Sequence, residues 1–244
     1  MRLDPGADSR RRVRARSALR HAGTIVASSE RLAREIARFG RRAELIRYTA
    51  NAEDFPARPI AGGPPSFLYV GEVSRQKGVD LLLEAFAKLE DQEVHLHLIG
   101  RSGDLDISQE AAELGITDRV RVSDEIPRGA LAQAYADASC VVMPSRHEDL
   151  GTAMVEGLLV GRPVIAVDDA VATELISPGV GVLVPGGDAE AMGRAMQTVL
   201  TGLERGQWTP ERLRAHALSF SWATMAPKLE ALTWQHLQET PSER

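Results

Sequence analysis

The feature that most constrains this chain is a regular alternation of short apolar runs with helical patterns over nearly its whole length. Apolar runs stand at Thr24–Ala27, Phe67–Val70, Val94–Ile99, Val120–Val122, Cys140–Met143 and Pro163–Val167. Between them, helix-type spacing covers Glu30–Phe39, Val79–Leu89, Ser108–Leu114, Gly129–Asp137 and Thr152–Val160. Strands and helices alternating at this spacing predict βαβ units around a parallel sheet. The runs are apolar throughout, as strands are when helices cover both faces of a sheet. The expected fold is therefore α/β, a Rossmann-like doubly wound parallel sheet. His95 and His97 alternate with Val94, Leu96 and Leu98 and mark one strand face, because no third ligand stands at a spacing that would hold a metal.

Pro56–Pro65 carries four prolines and two glycines without periodicity and is expected to be a linker, residues 56–65. Residues 1–55 hold a helix, a strand, a helix and a strand, too few elements for a domain. Residues 66–220 hold a nearly complete doubly wound domain. Helical pattern runs from Pro210 to Gln238, so residues 221–244 are expected to form a C-terminal helix and tail.

The charge balance excludes one class of partner. A net charge of −5 leaves no general basic surface for a phosphate backbone, so nucleic acid is not an expected ligand. Arg10, Arg11, Arg12, Arg14, Arg16 and Arg20 depart from that balance. The cluster fits first a solvated helix face near a domain end, and second contact with an anionic membrane surface or with acidic groups of a partner domain. Cys140 is the single cysteine and sits in the apolar run Ala138–Met143, so there is no disulfide framework. No apolar run is long enough to span a bilayer, and the polar N-terminus lacks the apolar centre of a secretory signal. The expected location is the cytoplasm, at the membrane periphery if the arginines meet lipid.

In an open α/β sheet, ligands bind beyond the carboxyl ends of the strands. Two loops stand there. The first, PSRHEDLGTAMVE from Pro144 to Glu156, follows Met143 and opens the helix Thr152–Val160. Gly151 lets the backbone approach a ligand, and the helix behind it aims free N–H groups at an anion. Glu156 lies among Met154, Val155, Leu158 and Leu159, where a carboxylate needs hydrogen-bond donors to offset lost solvation. Ribose hydroxyls would serve; a surface role for Glu148 and an internal arginine partner for Glu156 are equally open. The second loop is VGEVSRQKG from Val70 to Gly78. Gly71 allows a tight turn, and Lys77 sets a cation beside the N-terminus of Val79–Leu89, which suits a diphosphate. An ordinary strand-to-helix turn accounts for this loop equally well when it is taken alone. Neither G-x-G-x-x-G nor a Walker G-x-x-x-x-G-K-[ST] loop occurs.

Jointly, these segments resemble the retaining glycosyltransferases of family 4, which have the GT-B fold. Glu148 and Glu156 enclose seven residues, the E-x7-E arrangement of that family, within PSRHEDLGTAMVEGLLVGRPVIA. VGEVSRQKGVDLLLEAFAKL is similar to its phosphate-binding strand, loop and helix. TIVASSERLAREI, Leu183-Val184-Pro185 with Asp188, and Phe220-Ser221-Trp222 resemble further landmarks in the same order. The resemblance implies that Glu156 holds the ribose hydroxyls and that Lys77 holds the diphosphate. It implies that Glu148 is the catalytic-site carboxylate on the donor sugar, and that Gly71 and the backbone amides around Leu150, Gly151 and Thr152 help bind the donor. The donor would be a uridine or guanosine diphosphate sugar, with no metal or other cofactor required; Asp168-Asp169 is then a turn. In such an enzyme a first domain supplies the acceptor contacts and a catalytic-site histidine.

Four positions depart from the family pattern. Glu72 stands where the family commonly has an arginine beside Lys77, so Arg75 is the candidate substitute. Tyr48-Thr49-Ala50-Asn51 replaces a usual Asn-Gly-Val-Asp, Ala170 and Val171 replace paired glycines, and Asp124 replaces a glycine. His21, His147, His216 and His236 do not match the expected histidine. The chain is thus expected to be the donor-binding half of a GT-B fold, its residues 1–55 the end of the N-terminal domain. A separate acceptor-binding domain or chain would be its partner. Without one, Leu229, Leu232, Trp234 and Leu237 of the tail are expected to expose apolar surface. A non-catalytic nucleotide-sugar-binding or scaffold module is the competing reading. A different sugar-nucleotide enzyme on a related sheet, such as an epimerase, is a third and weaker reading, against which the absence of a nicotinamide fingerprint and of a Tyr-x-x-x-Lys pair counts.

Overall fold

The computed structural model describes residues 9–47, 50–60, 62–146, 148 and 150–239, and only the backbone of residues 9–13, 15, 237 and 239. Tyr48, Thr49, Ala61, His147 and Asp149 lie outside the described residues, as do the side chains of Arg10, Arg11, Arg12 and Leu237. The chain begins with α1 (Ser9–His21), β1 (Val26–Ala27), α2 (Glu30–Ala37) and β2 (Glu44–Leu45). The alternating body follows: β3 (Ser66–Val70), α3 (Val79–Ala87), β4 (His95–Ile99), α4 (Ile107–Glu113), β5 (Val120–Ser123), α5 (Arg128–Asp137) and β6 (Cys140–Met143). It continues with α6 (Thr152–Val160), β7 (Val164–Val167), α7 (Ala172–Leu175) and β8 (Gly181–Val184). Three helices close the chain: α8 (Ala189–Glu204), α9 (Pro210–Leu218) and α10 (Trp222–Glu239).

The expected doubly wound sheet is present. Its strand order is β5-β4-β3-β6-β7-β8, and every neighbouring pair is parallel. The order reverses between β3 and β6, so their carboxyl ends splay apart and leave a crevice at that switch point. Every residue of β6 and β7 is buried, which explains their unbroken apolar sequences. α6 is buried from Met154 to Val160 and packs against α9 on its far side, so it is apolar nearly all round. β8 and α8 complete the sheet beyond the runs read from sequence. α8 starts where Asp188 caps the Ala191 N–H at 2.8 Å, and the tail expected as one helical stretch breaks after Leu218.

β1 and β2 form a separate two-stranded parallel ladder. Behind them, residues 50–59 are strapped to the large sheet's helices. Arg162 is fully buried, and its guanidinium donates only to carbonyls: Tyr135 and Ala136 on α5, Gly161 after α6, and Arg58 and Pro59 of the strap, at 2.7–3.1 Å. Arg214 adds bonds to the carbonyls of Ala52 at 3.0 Å and Leu159 at 2.7 Å, and to that of Phe55. The first part of the stretch expected as a linker is therefore anchored, its Arg58 N–H also bonding the Val160 carbonyl at 3.0 Å. α10 docks through a bridge between Ala50 and Ser221, with Leu229 and Leu232 half-buried and Trp234 59% exposed.

Helix C-termini carry orphan carbonyls and partial negative charge, so a buried cation there does the work of several caps. Burial lowers the Arg162 pKa only to about 10, which leaves it charged at neutral pH. Arg162→Met is expected to lower unfolding free energy by about 3 kcal/mol or more in urea titration, because several buried acceptors lose their donor. Arg162→Lys should recover only part of that loss, since an ammonium lacks the planar fork that spans two helices and the strap.

Candidate functional site

The switch-point crevice forms a cavity of about 340 Å³. The end of β3 supplies Tyr69, Val70 and Gly71; the end of β6 supplies Met143. Lys77 and Glu148 come from the two loops, and Leu150, Gly151, Thr152, Ala153 and Glu156 from the entry of α6. Of the eight site residues read from sequence, seven meet here and Arg75 does not.

The two loops touch back to back. Gly78 precedes α3 in the left-handed region at φ 74°, and a Cβ on it would lie 2.4 Å from the Pro144 carbonyl oxygen. Only a residue without a side chain lets α3 start so close to the loop after β6. That approach brings Lys77 Nζ to 3.3 Å from Glu148 Oε1 across the cavity. The far side of the Glu148 loop is held by Asp169, which accepts from the Glu148 N–H at 2.8 Å and from Val171 and Ala172 N–H at 2.9 and 2.8 Å. Asp168 accepts from the Thr173 hydroxyl at 2.8 Å. This acidic pair leads into a turn at Ala170 and Val171, and Asp169 also fixes the loop that carries Glu148. The same carboxylate closes an Asx-type turn at residues 169–171, and the reach to Glu148 left no sign in the sequence.

α6 opens at Gly151, φ 66°, which has no side chain to cap the helix, and among the described residues no side chain accepts from its first N–H groups. Its N-terminus therefore faces the cavity with its dipole and donors available to an anion. One turn further, Glu156 is 8% exposed and accepts a 2.9 Å hydrogen bond from the Tyr135 hydroxyl. The donor that the buried carboxylate needs is thus a phenol on α5, not an arginine, and sequence periodicity gave no sign of the pairing. Burial raises the Glu156 pKa, partly offset by that hydrogen bond and by Arg128. Burial and the neighbouring charge of Glu148 likewise raise the Tyr69 hydroxyl pKa.

Arg75 turns away from the cavity, pairing with Glu110 on α4 and lying 3.7 Å from Asp80. In this arrangement it does not line the cavity, so the expectation that it substitutes for the missing arginine requires it to leave these two acids. Glu72 pairs with Arg101 on the loop after β4, and the hydrogen bond from that guanidinium lowers its pKa. The acid at the family's arginine position is thereby neutralised locally.

The family model for glycosyl transferases group 1 matches residues 50–212. D-inositol 3-phosphate glycosyltransferase 1 of Catenulispora acidiphila is 32% identical over 178 residues, covering 68% of this chain and 43% of that protein. D-inositol 3-phosphate glycosyltransferase of Nocardia farcinica is 30% identical over 181 residues, covering 70% of this chain and 40% of that protein. The chain spans about two fifths of the length of these curated relatives. Among solved structures, sucrose-phosphate synthase from Thermosynechococcus elongatus superimposes with a TM-score of 0.82 at 24% identity, over 96% of this chain and 63% of that one. HepE of Anabaena in complex with UDP gives 0.82 at 21% identity, over 96% of this chain and 70% of that one. At these identities the superpositions show a common fold.

The contact between the two loops can be opened by one methyl group. Gly78→Ala is expected to cost about 1–2 kcal/mol from the left-handed backbone alone, with a further loss as the Pro144 carbonyl is displaced. Chemical denaturation measures the total, and the separation of Lys77 from Glu148 in a crystal structure of the variant should exceed the present 3.3 Å.

Proposed function

The chain belongs to the glycosyl transferases group 1 family, and from that premise we propose that it binds a nucleoside diphosphate sugar and supplies the donor half of a retaining, family 4-like glycosyltransferase. The observation that carries this reading is the convergence of Lys77, Glu148, Glu156 and the uncapped N-terminus of α6 on one cavity at the switch point. Glu156 accepts from the ribose hydroxyls, and Lys77 with the N-terminus of α6 faces the diphosphate. Glu148, released from Lys77 as the donor enters, meets the sugar beside its anomeric carbon. Leu150, Gly151 and Thr152 line the approach, and Gly71 keeps the β3 end narrow. Transfer then breaks the bond from the anomeric carbon to the diphosphate and forms one to the acceptor oxygen on the same face, the acceptor proton leaving on the diphosphate. Lys77 and the helix N-terminus stabilise the charge that develops there.

HepE of Anabaena was solved with UDP, which supports a uridine donor as the first to test. Residues 1–55 are read as the end of an acceptor-side domain, and the acceptor contacts as coming from a separate domain or chain. The arginines of α1 leave a lipid surface as a candidate second contact; among the described residues no helix is long and apolar enough to cross a membrane. A non-catalytic nucleotide-sugar-binding module is the second reading, favoured by Glu72 and its pairing with Arg101. Sugar transfer on adding an acceptor-domain chain separates the two.

Calorimetric titration with a panel of uridine and guanosine diphosphate sugars should give saturable binding. Lys77→Ala and Glu156→Ala are each expected to weaken it at least tenfold, about 1.4 kcal/mol. Equal binding by Glu156→Ala would remove the donor site from this cavity. The nucleotide-free protein should respond in the opposite sense. The folded pKa of Glu156 lies above its unfolded value, so the ionised carboxylate costs stability once pH exceeds that raised value, and the cost vanishes below the unfolded one. Glu156→Gln is therefore expected to raise the melting temperature at pH 7.5 while it weakens binding.

A further inference from the structure

Tyr135 lies outside the residues that line the cavity, yet its hydroxyl donates a hydrogen bond to the Glu156 carboxylate. The ring is fully buried, one helix removed from the cavity. Phe55 of the strap stands edge-on to it at 5.8 Å, which fixes the plane of the phenol. Arg162 holds the carbonyl of Tyr135 at 3.1 Å and that of Ala136 at 2.7 Å, which fixes the end of α5. A phenol pinned at both ends aims its O–H at one oxygen of Glu156, Oε2, at 2.9 Å. That oxygen is then engaged, and among the described residues nothing donates to the other carboxylate oxygen, Oε1, which leaves it to accept from a ligand.

We propose that Tyr135 is a positioning residue for nucleotide binding: its hydroxyl orients the Glu156 carboxylate toward the ribose diol and keeps it ionised. The inference rests on the reading of Glu156 as the ribose ligand. A buried carboxylate without a donor takes up a proton more readily, and a neutral acid accepts a ribose hydroxyl less strongly than a carboxylate does. Burial raises the Glu156 pKa and the Tyr135 hydrogen bond opposes that rise, as does Arg128, which is itself paired with Asp54 at 2.9 Å. Arg128 lies at the start of α5 and Asp54 on the strap, while Lys77 and Glu148 face Glu156 across the cavity. Removing the phenolic oxygen leaves all four of these charges unchanged.

The sign follows from those terms. Without the hydroxyl the Glu156 pKa moves further up, so nucleotide binding that needs the ionised form is lost at a higher pH as solution is acidified. A hydrogen bond to a charged group is worth enough to move that midpoint by about one pH unit.

The test uses uridine diphosphate and its 2′,3′-dideoxy counterpart, titrated into the unaltered protein, Tyr135→Phe and Glu156→Gln between pH 4.5 and 8. Tyr135→Phe is expected to weaken uridine diphosphate about tenfold at pH 6, to leave the dideoxy nucleotide unchanged, and to shift the acid midpoint upward. Both nucleotides are measured on the same sample, so any unfolded fraction cancels from their ratio. Equal losses for the two nucleotides, or an unmoved midpoint, would overturn the role of Tyr135 when Glu156→Gln weakens uridine diphosphate and spares the dideoxy nucleotide. If Glu156→Gln treats both nucleotides as the unaltered protein does, Glu156 is not the ribose ligand and both readings fall.

Discussion

A single buried guanidinium, that of Arg162, is the contact on which the arrangement of the other parts depends. It stands where α5 ends, α6 ends and the strap of residues 50–59 passes, and it bonds carbonyls of all three. Each of those carbonyls would otherwise be an acceptor removed from water with nothing to accept from. An apolar side chain of the same volume could fill the space but not satisfy them. The cation is tolerated because its partners are dipoles that already point their negative ends inward. Arg214 repeats the device one turn along the strap, through Ala52, Phe55 and Leu159. The small β1–β2 ladder is thus joined to the large sheet through a segment held by two arginines, although its proline content reads as a loose connection.

The same clamp reaches the cavity. α5 carries Tyr135 and α6 carries Glu156, so fixing the ends of both helices fixes the distance between the phenol and the carboxylate. Folding alone gains little from Glu156. Its environment raises the pKa and disfavours the charged form, and a leucine would suit the helix better. A desolvated carboxylate that the fold holds at a cavity wall, with one oxygen engaged and one left over, is expected of a ligand site more than of a core. Lys77 and Glu148 form a complementary case. Both are partly exposed, so their attraction contributes little to stability, and its consequence is to hold two loop side chains in place until an anion competes for the lysine.

How much of this was legible in the sequence differs by element. The strands β6 and β7 are buried on both faces and β3 and β4 are largely buried, so their apolar runs could be read to within a residue or two. α3, α5 and α6 carry boundaries that local residues set, such as Gly78, Gly151 and Gly161. β8 and α8 were not read as elements, because β8 is a short four-residue run opened by a glycine and lies in a stretch matched only as landmarks. At the site, Lys77, Gly151 and Glu156 converge because they occupy strand ends and helix starts, positions that topology alone brings together. Arg75 is the one expected site residue that does not line the cavity. Its direction depends on Glu110, thirty-five positions away on α4, and a contact of that range leaves no local trace. Tyr135 and Asp169 escaped for the same reason, since each acts through a partner on a different element.

Glu72 and Arg101 show why a position-by-position comparison can mislead. Judged as a single substitution, an acid where an arginine is usual should repel a diphosphate. In three dimensions the acid sits beside a cation from the next strand-end loop, and the pair carries no net charge. A second cavity, bounded by Glu72, Arg101 and Glu125, shares Val70 and Gly71 with the first. A diphosphate at Gly71 would therefore meet Lys77 on one side and an already paired guanidinium on the other. Coulomb attraction falls with distance and with screening by a bound counter-charge. On the proposed reading, Lys77 and the N-terminus of α6 would then supply most of the positive potential offered to a leaving diphosphate. That places the weight of any transfer chemistry on two features of the backbone, the approach permitted by Gly78 and the uncapped helix start at Gly151.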